Sequence, residues 1–159
     1  MTGKIITVTQ QKGGSGKTTL AAHIAVACAR NRHLKTAILD TDPQGSLGRW
    51  FMARKDHANG SGPDMTFRTA SAWGARYEAQ ALTETHDIVV IDTPPKMGVD
   101  GRPAIESADL VVIPVAPSPV DLWGTEPTIV MTGGELNPSL MVLNRTNRRA
   151  RLSGEVAVA

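Results

Sequence analysis

Five short apolar runs recur along the chain of 159 residues, and they constrain its fold more than any other feature. They lie at residues 5–9, 36–39, 88–91, 110–115 and 140–143. The runs are rich in β-branched residues and continuous rather than alternating, which is typical of strands buried on both faces of a parallel sheet. A weaker strand at residues 66–69 is expected at an edge of the same sheet.

Segments with helical character separate these strands. They span residues 17–31, 44–55, 74–85, 99–107 and 126–135, and Gly124 and Pro127 interrupt the start of the last one. Strands that alternate with helices predict an α/β fold, a three-layer sandwich with a mostly parallel, twisted sheet and helices on both faces. The length corresponds to one domain of roughly 100 to 200 residues, with room for one ligand site.

Composition excludes several classes of protein. The single cysteine, Cys28, cannot form a disulfide framework, a cysteine zinc site or an iron–sulfur cluster within the chain. The longest apolar runs are far shorter than the roughly 20 residues that span a bilayer. We therefore expect a cytoplasmic protein without a membrane segment.

A glycine-rich loop, KGGSGKTT at residues 12–19, follows the first strand and opens the first helix. Its glycines allow the backbone N–H groups to point inward, and the helix start adds its positive dipole end, so the loop suits a triphosphate. We expect Lys17 to reach the β and γ phosphates and the Thr18 hydroxyl to bind Mg²⁺. The strict Walker A pattern fails because Gln11 stands at its first glycine position. The expected nucleotide-binding residues of the loop are Gly13, Gly14, Ser15, Gly16, Lys17, Thr18 and Thr19.

Acidic residues follow two of the predicted strands. Asp40 and Asp42 come after the second strand, and Asp92 directly follows the strand at residues 88–91. The carboxyl ends of parallel strands form the ligand-binding edge of such a sheet, so these acids are expected near the phosphate loop. Asp92 fits a Walker B acid that faces Mg²⁺. The residues alone leave two roles open for Asp42, a cap of the following helix, with Pro43 at its first position, or a catalytic group.

Several motifs carry a family resemblance. KGGSGKTT resembles the deviant Walker A motif of the ParA and MinD class of ATPases, DTDPQG at 40–45 and IDTPP at 91–95 resemble two further motifs of that class, and VAPSPVD at 115–121 is similar to a loop of small partition ATPases. The resemblance implies that Lys12 is catalytic and crosses a dimer interface to the other subunit's phosphates. It also implies that Asp42 orients the attacking water and that Asp40 supports the Mg²⁺ shell. The residues alone leave two interpretations of Lys12 open. It is a solvent-facing loop lysine, or it reaches a partner subunit's nucleotide, because its ammonium group would be repelled by that of Lys17 at the same phosphates.

The same resemblance extends to the end of the last strand and to the chain length. It implies that Asn144 faces the adenine ring. Relatives continue past this strand, so we expect residues 1–159 to form one P-loop ATPase domain that lacks C-terminal strands and helices.

Asp121 lies in the loop that follows the strand at residues 110–115. We expect it to cap the next helix.

The activity that the resemblance implies is ATP hydrolysis in plasmid or chromosome partition. MgATP would promote a homodimer, the dimer would bind DNA non-specifically, and an activating partner such as a ParB-like protein would stimulate slow turnover. The alternative is a nucleotide-binding switch or scaffold with little turnover that positions conjugation machinery or another cargo. ATP rather than GTP is implied by resemblance only, because phosphate loops bind both.

Basic residues are concentrated near the end of the chain, although the net charge is only +2. The last 15 residues hold one acid and four arginines, namely Arg145, Arg148, Arg149 and Arg151. This patch either meets phosphates of nucleic acid or nucleotide, or is the solvated start of a helix. The final LSGEVAVA is too short and too weakly basic for an amphipathic membrane helix, so we expect no membrane partner.

Overall fold

The computed structural model describes residues 2–31, 33–57, 62–95, 101–133 and 137–147. Strands and helices alternate along these residues. The strands are β1 (Lys4–Val8), β2 (Thr36–Asp40), β3 (Thr66–Thr69), β4 (Ile88–Asp92), β5 (Leu110–Val115) and β6 (Ser139–Leu143). The helices are α1 (Lys17–Arg30), α2 (Ser46–His57), α3 (Ala75–Thr83), α4 (Arg102–Glu106), α5 (Pro119–Trp123) and α6 (Glu126–Met131).

The six described strands form one sheet in the order β3-β2-β4-β1-β5-β6, and every pairing is parallel. This arrangement confirms the predicted α/β class. The weak strand β3 lies at an edge, as its sequence indicated, and β6 lies at the other edge of the described sheet. Strand β1 precedes the phosphate loop, and β4 ends in Asp92. These two strands are neighbours at the centre of the sheet.

Burial on both faces explains why the strands are continuously apolar. In β4, Val89 and Ile91 belong to a core cluster shared with α3 and α4, whereas Val90 belongs to the cluster on the opposite face with α1 and α2. Successive side chains of a strand point to opposite faces, so a strand covered on both faces requires apolar residues at consecutive positions. The helices therefore form two layers around the sheet.

Small side chains let α1 approach the sheet closely. Ala21 and Ala25, one helical turn apart, are fully buried against Val8 and Val90 in the same cluster. This packing holds the first turn of α1, and with it the phosphate loop, against the central strands. Among the described residues, no helix has the length and apolar character needed to cross a membrane.

The structure changes some helix boundaries. Helix α2 begins at Ser46 rather than at residue 44, because residues 42–45 form a turn in which Gly45 N–H donates to the Asp42 carbonyl over 2.9 Å. The expected helix at 126–135 is preceded by the separate short helix α5, and Pro127 lies in the first turn of α6, where its missing N–H is not needed. Residues 99–100 and 134–135 of the predicted helices lie outside the described residues.

Candidate nucleotide-binding site

The register of the central strands brings the predicted site residues to one edge of the sheet. Val8, the last residue of β1, is paired with Asp92, and Asp92 is also paired with Asp40 at the end of β2. The phosphate loop follows β1 and therefore begins at the same end of the sheet as these two residues. In open parallel sheets, ligands bind where the connections from neighbouring strands run to opposite sides. Here the chain leaves β1 toward β2 on one side, whereas it leaves the neighbouring β4 toward β5 on the other side.

Two glycines of the loop adopt backbone conformations that other residues rarely adopt. Gly14 has φ 77° and Gly16 has φ 92°. A Cβ atom at Gly16 would also crowd the side-chain nitrogen of Asn144, so both the backbone conformation and this contact disfavour a side chain here. Gly16 precedes α1 without a side-chain cap. The helix therefore presents its first N–H groups to a bound anion.

A cavity of about 230 Å³ opens over this loop. Most of the residues predicted from the sequence to bind phosphate line it. The lining consists of Gly13, Gly14, Gly16, Lys17, Thr18, Thr19, Asp42, Pro95 and Arg145. Ser15 does not line the cavity, and its hydroxyl oxygen is buried without a hydrogen bond.

Lys17 is held in an environment that suits an anionic ligand. Only 7% of the residue is exposed, and neither ion pair found among the described residues includes it. Burial lowers the pKa of its ammonium group, while the carboxylates of Asp92 and Asp42 oppose that change. A bound phosphate would supply the close negative charge that this buried cation lacks.

Asp92 provides the test of whether a metal ion fits. Both carboxylate oxygens are buried without a hydrogen bond of normal geometry, and burial raises the pKa of the group to about 7 although the nearby Thr18 hydroxyl lowers it. An orphaned carboxylate beside a hydroxyl and a phosphate cavity fits Mg²⁺, which binds one or two protein oxygens together with substrate phosphates. Asp92 and Thr18 would hold the ion, and its charge would neutralise phosphate oxygens.

Asp40 and Asp42 differ in what their carboxylates contact. Asp40 accepts the N–H of Asp42 over 3.0 Å and the N–H of Gly48 over 3.2 Å, so it fixes the β2–α2 turn. Burial raises the pKa of Asp40, and these two hydrogen bonds counteract the rise. Asp42 accepts the N–H of Gln44 over 2.9 Å within that turn. The cap role for Asp42 is wrong because α2 starts four residues later, whereas its catalytic role and the Mg²⁺ role of Asp40 stay predictions.

Lys12 lies apart from the phosphate cavity. Its ammonium group forms an ion pair with Asp121 of α5, and Lys12 is absent from the residues that line the cavity. A Cβ at Gly124 would lie 3.2 Å from the Lys12 Cδ atom, so the glycine makes room for the lysine stem. The helix cap expected at Asp121 is provided instead by Ser118, whose hydroxyl accepts the Asp121 N–H over 3.1 Å.

Asn144 contacts the phosphate loop itself. Its side-chain nitrogen donates to the Ser15 carbonyl over 2.9 Å, and its backbone N–H donates to the Val115 carbonyl over 2.8 Å. In this structure Asn144 therefore joins the end of β6 to the loop. The adenine contact implied by the resemblance stays a prediction.

A buried polar network surrounds Gln10, and its residues form no recognisable motif in the sequence. The Gln10 amide nitrogen donates to the Thr125 hydroxyl over 2.9 Å, and the Thr128 hydroxyl donates to the Gln10 amide oxygen over 2.6 Å. Thr128 also accepts the Gln11 N–H over 3.0 Å. These residues are at most 2% exposed apart from Gln11, which is half-buried. The network fixes the start of the phosphate loop to α6, and no local sequence pattern marks partners that are more than 100 residues apart.

Removing one hydroxyl tests this attachment. We expect Thr128→Val to lower the free energy of unfolding by about 1–3 kcal/mol, because Gln10 and Gln11 each lose a buried hydrogen-bond partner. Urea denaturation of the nucleotide-free protein measures the change. Thr132→Val is the matched control, since within the described part of the chain the Thr132 hydroxyl donates to the Ile129 carbonyl of its own helix, over 2.8 Å, and to no other group. An equal loss in both variants would contradict a special role for the Gln10 network.

Comparison with known proteins decides the family. Residues 6–157 match the family described as "CobQ/CobB/MinD/ParA nucleotide binding domain". The chain belongs to this family. Its members are P-loop ATPases, so the predicted family, the ATPase class and the use of ATP with Mg²⁺ are confirmed at this level.

The relatives that the chain resembles include proteins named for carboxysome distribution and for chromosome partitioning. It is 33% identical over 155 residues to "Maintenance of carboxysome distribution protein A" of Halothiobacillus neapolitanus, covering 93% of this chain and 69% of that protein. It is 26% identical over 196 residues to "Chromosome partitioning protein ParA" of Myxococcus xanthus, covering 97% of this chain and 69% of that protein.

A solved structure supports the fold. The septum site-determining protein MinD of Pyrococcus horikoshii, complexed with Mg-ADP, superposes with a TM-score of 0.76 at 18% identity, covering 96% of this chain and 76% of that one. At this identity the likeness concerns the fold. That protein was solved with Mg-ADP bound.

Proposed function

We propose that this chain is a ParA-type positioning ATPase that binds MgATP and then pairs with a second copy. In the pair, each Lys12 contacts the phosphates bound to the partner subunit, and Asp42 aligns the water that attacks the γ phosphate. The dimer binds DNA non-specifically, and a partner protein stimulates slow hydrolysis that returns it to monomers.

The position of Lys12 carries this proposal. Lys17 lies in the phosphate cavity of its own chain, whereas Lys12 pairs with Asp121 outside it. The Lys12 and Asp121 side chains are 34% and 23% exposed, so the pair lies at the surface and can open at low cost. Because Lys12 does not line the phosphate cavity of its own chain, its ammonium group is available to contact the phosphates bound to another subunit.

The names of similar proteins support a proposal for the cargo. One is named for chromosome partitioning and another for carboxysome distribution, and we propose a cargo of DNA or a large protein assembly. In both cases we propose that the nucleotide state controls attachment to DNA. The basic residues Arg148, Arg149 and Arg151, which the sequence suggested for phosphate contacts, lie outside the described residues.

Light scattering and DNA retention test the cycle together. We expect a dimer and retained DNA with ATP and Mg²⁺, and a monomer without retention when ADP or no nucleotide is present. Steady-state hydrolysis with and without DNA separates the proposed ATPase cycle from the alternative, a nucleotide-binding scaffold. Stimulated turnover excludes the scaffold, and a protein that stays monomeric with MgATP contradicts the proposal.

Lys12→Gln isolates the cross-subunit contact. We expect the variant to bind MgADP normally but to need at least about tenfold more protein to dimerise with MgATP, because a buried phosphate charge at the interface loses its cation. Sedimentation or light scattering across a concentration series measures the effect. Asp121→Asn should dimerise at least as well as the parent, since it releases Lys12.

Lys4→Gln is the matched control for Lys12→Gln. Lys4 also forms an ion pair, with Asp109 over 2.7 Å, and it lies at the start of β1, away from the phosphate loop. Its loss should leave dimerisation unchanged. Normal ATP-dependent dimerisation of Lys12→Gln would rule out the cross-subunit role.

A further inference from the structure

The end of β6 delivers two consecutive residues to the phosphate loop. Asn144 bonds the loop backbone at Ser15, and Arg145 is among the residues that line the phosphate cavity. We propose that Arg145 is a phosphate ligand of the bound nucleotide, a second cation that acts beside Lys17. This inference rests on the nucleotide-binding role of the loop, but on neither dimerisation nor DNA binding.

The first support is the position of the guanidinium group. Its Nε atom would lie 3.9 Å from a Cβ atom at Gly16, so the side chain extends over the loop. Arg145 is exposed, and neither ion pair found within the described ranges includes it. An arginine that faces a phosphate cavity without a carboxylate partner has its donors available for an anion.

The second support is the backbone of Arg145. Its φ of 59° is the only positive value of a non-glycine residue among the described residues. A residue with a side chain rarely adopts this left-handed conformation unless its surroundings enforce it, and such strain tends to occur at ligand sites. Here the two hydrogen bonds of Asn144, to Val115 and to Ser15, hold the preceding residue on both sides.

The chemistry of the cavity favours arginine at this point. The planar guanidinium offers paired N–H donors that match two oxygens of one phosphate. Lys17 provides a single point charge from the base of the cavity, and the lining also includes the carboxylate of Asp42, which would repel phosphate. A second cation offsets that repulsion and fixes the orientation of the phosphate chain.

Calorimetric titration of the full chain with MgADP, in the absence of DNA, tests the inference. We expect Arg145→Gln to weaken MgADP binding by about tenfold or more, because a charge-assisted hydrogen bond to phosphate is lost. Arg145→Lys should recover part of the affinity, since it keeps the charge without the paired donors. Arg76→Gln is the matched control, because Arg76 is an exposed arginine of α3 that does not line the cavity.

Arg145→Gly separates binding from structure. Glycine adopts a φ near 59° without strain, so the melting temperature without nucleotide should equal or exceed that of the parent. Its MgADP affinity should nevertheless fall as far as that of Arg145→Gln. A purely structural arginine would lower stability and affinity together.

The outcomes separate this inference from the proposed function. Unchanged MgADP affinity in Arg145→Gln and Arg145→Gly overturns the assignment of Arg145. Loss of DNA retention with normal MgADP affinity also overturns it, because the guanidinium would then serve nucleic acid phosphates. If the parent chain itself bound no MgADP, the nucleotide role of the loop would fail, and the Arg145 assignment with it.

Discussion

Replacing Asp42 with alanine is expected to lower ATP hydrolysis by about 100-fold or more while leaving MgATP binding intact. Asp42 lines the phosphate cavity and raises the pKa of Lys17 through its charge, so its carboxylate is close enough to the loop for the proposed role of orienting the attacking water. Hydrolysis depends chiefly on positioning that water and balancing charge. The dimer formed with MgATP should therefore persist, because the step that releases it is blocked.

Single-turnover hydrolysis and light scattering measure the two effects on Asp42→Ala. Asp56→Ala is the control, an exposed acid in the last turn of α2 that does not line the cavity. It should hydrolyse ATP at the parental rate. Parental turnover in Asp42→Ala would show that another group positions the water, and a loss of MgATP binding would show that Asp42 organises the loop instead.

Asp92→Asn is expected to change the pH dependence of stability in the absence of nucleotide and Mg²⁺. Burial raises the pKa of Asp92 to about 7, whereas an aspartate in the unfolded chain ionises near its ordinary value. The folded protein thus holds a proton that the unfolded protein releases, so parental stability falls as the pH rises from about 4 to about 7. The change corresponds to about 4 kcal/mol over this range.

The difference between variant and parent isolates this carboxylate. Other titrating groups are common to both proteins, so the stability of Asp92→Asn relative to the parent should rise by about 4 kcal/mol between pH 4 and pH 8. Urea denaturation with a chelator at several pH values measures it. Adding MgADP at pH 8 should stabilise the parent far more than the variant. Parallel pH profiles for the two proteins would contradict a buried, unpaired carboxylate.

The sequence predicted the sheet because its signal is local. Consecutive apolar residues such as Val89, Val90 and Ile91 indicate burial on both faces, and this burial is what the two helical layers provide. The glycines of the phosphate loop are also readable locally, since Gly14 and Gly16 need left-handed backbone conformations. Helix boundaries were less accurate, because the turn after Asp42 depends on hydrogen bonds that the residue types permit but do not require.

Contacts between distant segments could not be read in this way. Gln10 and Thr128 are 118 positions apart, and Asn144 is 129 positions from Ser15, yet both pairs fix the same loop. The ion pair between Lys12 and Asp121 could not be predicted from the sequence either, because a helix cap was a plausible local role for Asp121. Arg145 belongs by sequence to a cluster of arginines, and only the structure shows that it lines the cavity and has a left-handed backbone conformation.

The sequence by itself determined the parallel α/β architecture, the phosphate loop and the identities of the acids at the strand ends. Local spacing suffices for these because a strand, a tight turn and a helix start each depend on neighbouring residues. Only the tertiary structure decided which side chains share the cavity, that Lys12 is held outside it by Asp121, and that Arg145 enters it. These outcomes depend on strand order and register, which bring β1, β4, β5 and β6 to one edge and which no short segment specifies alone.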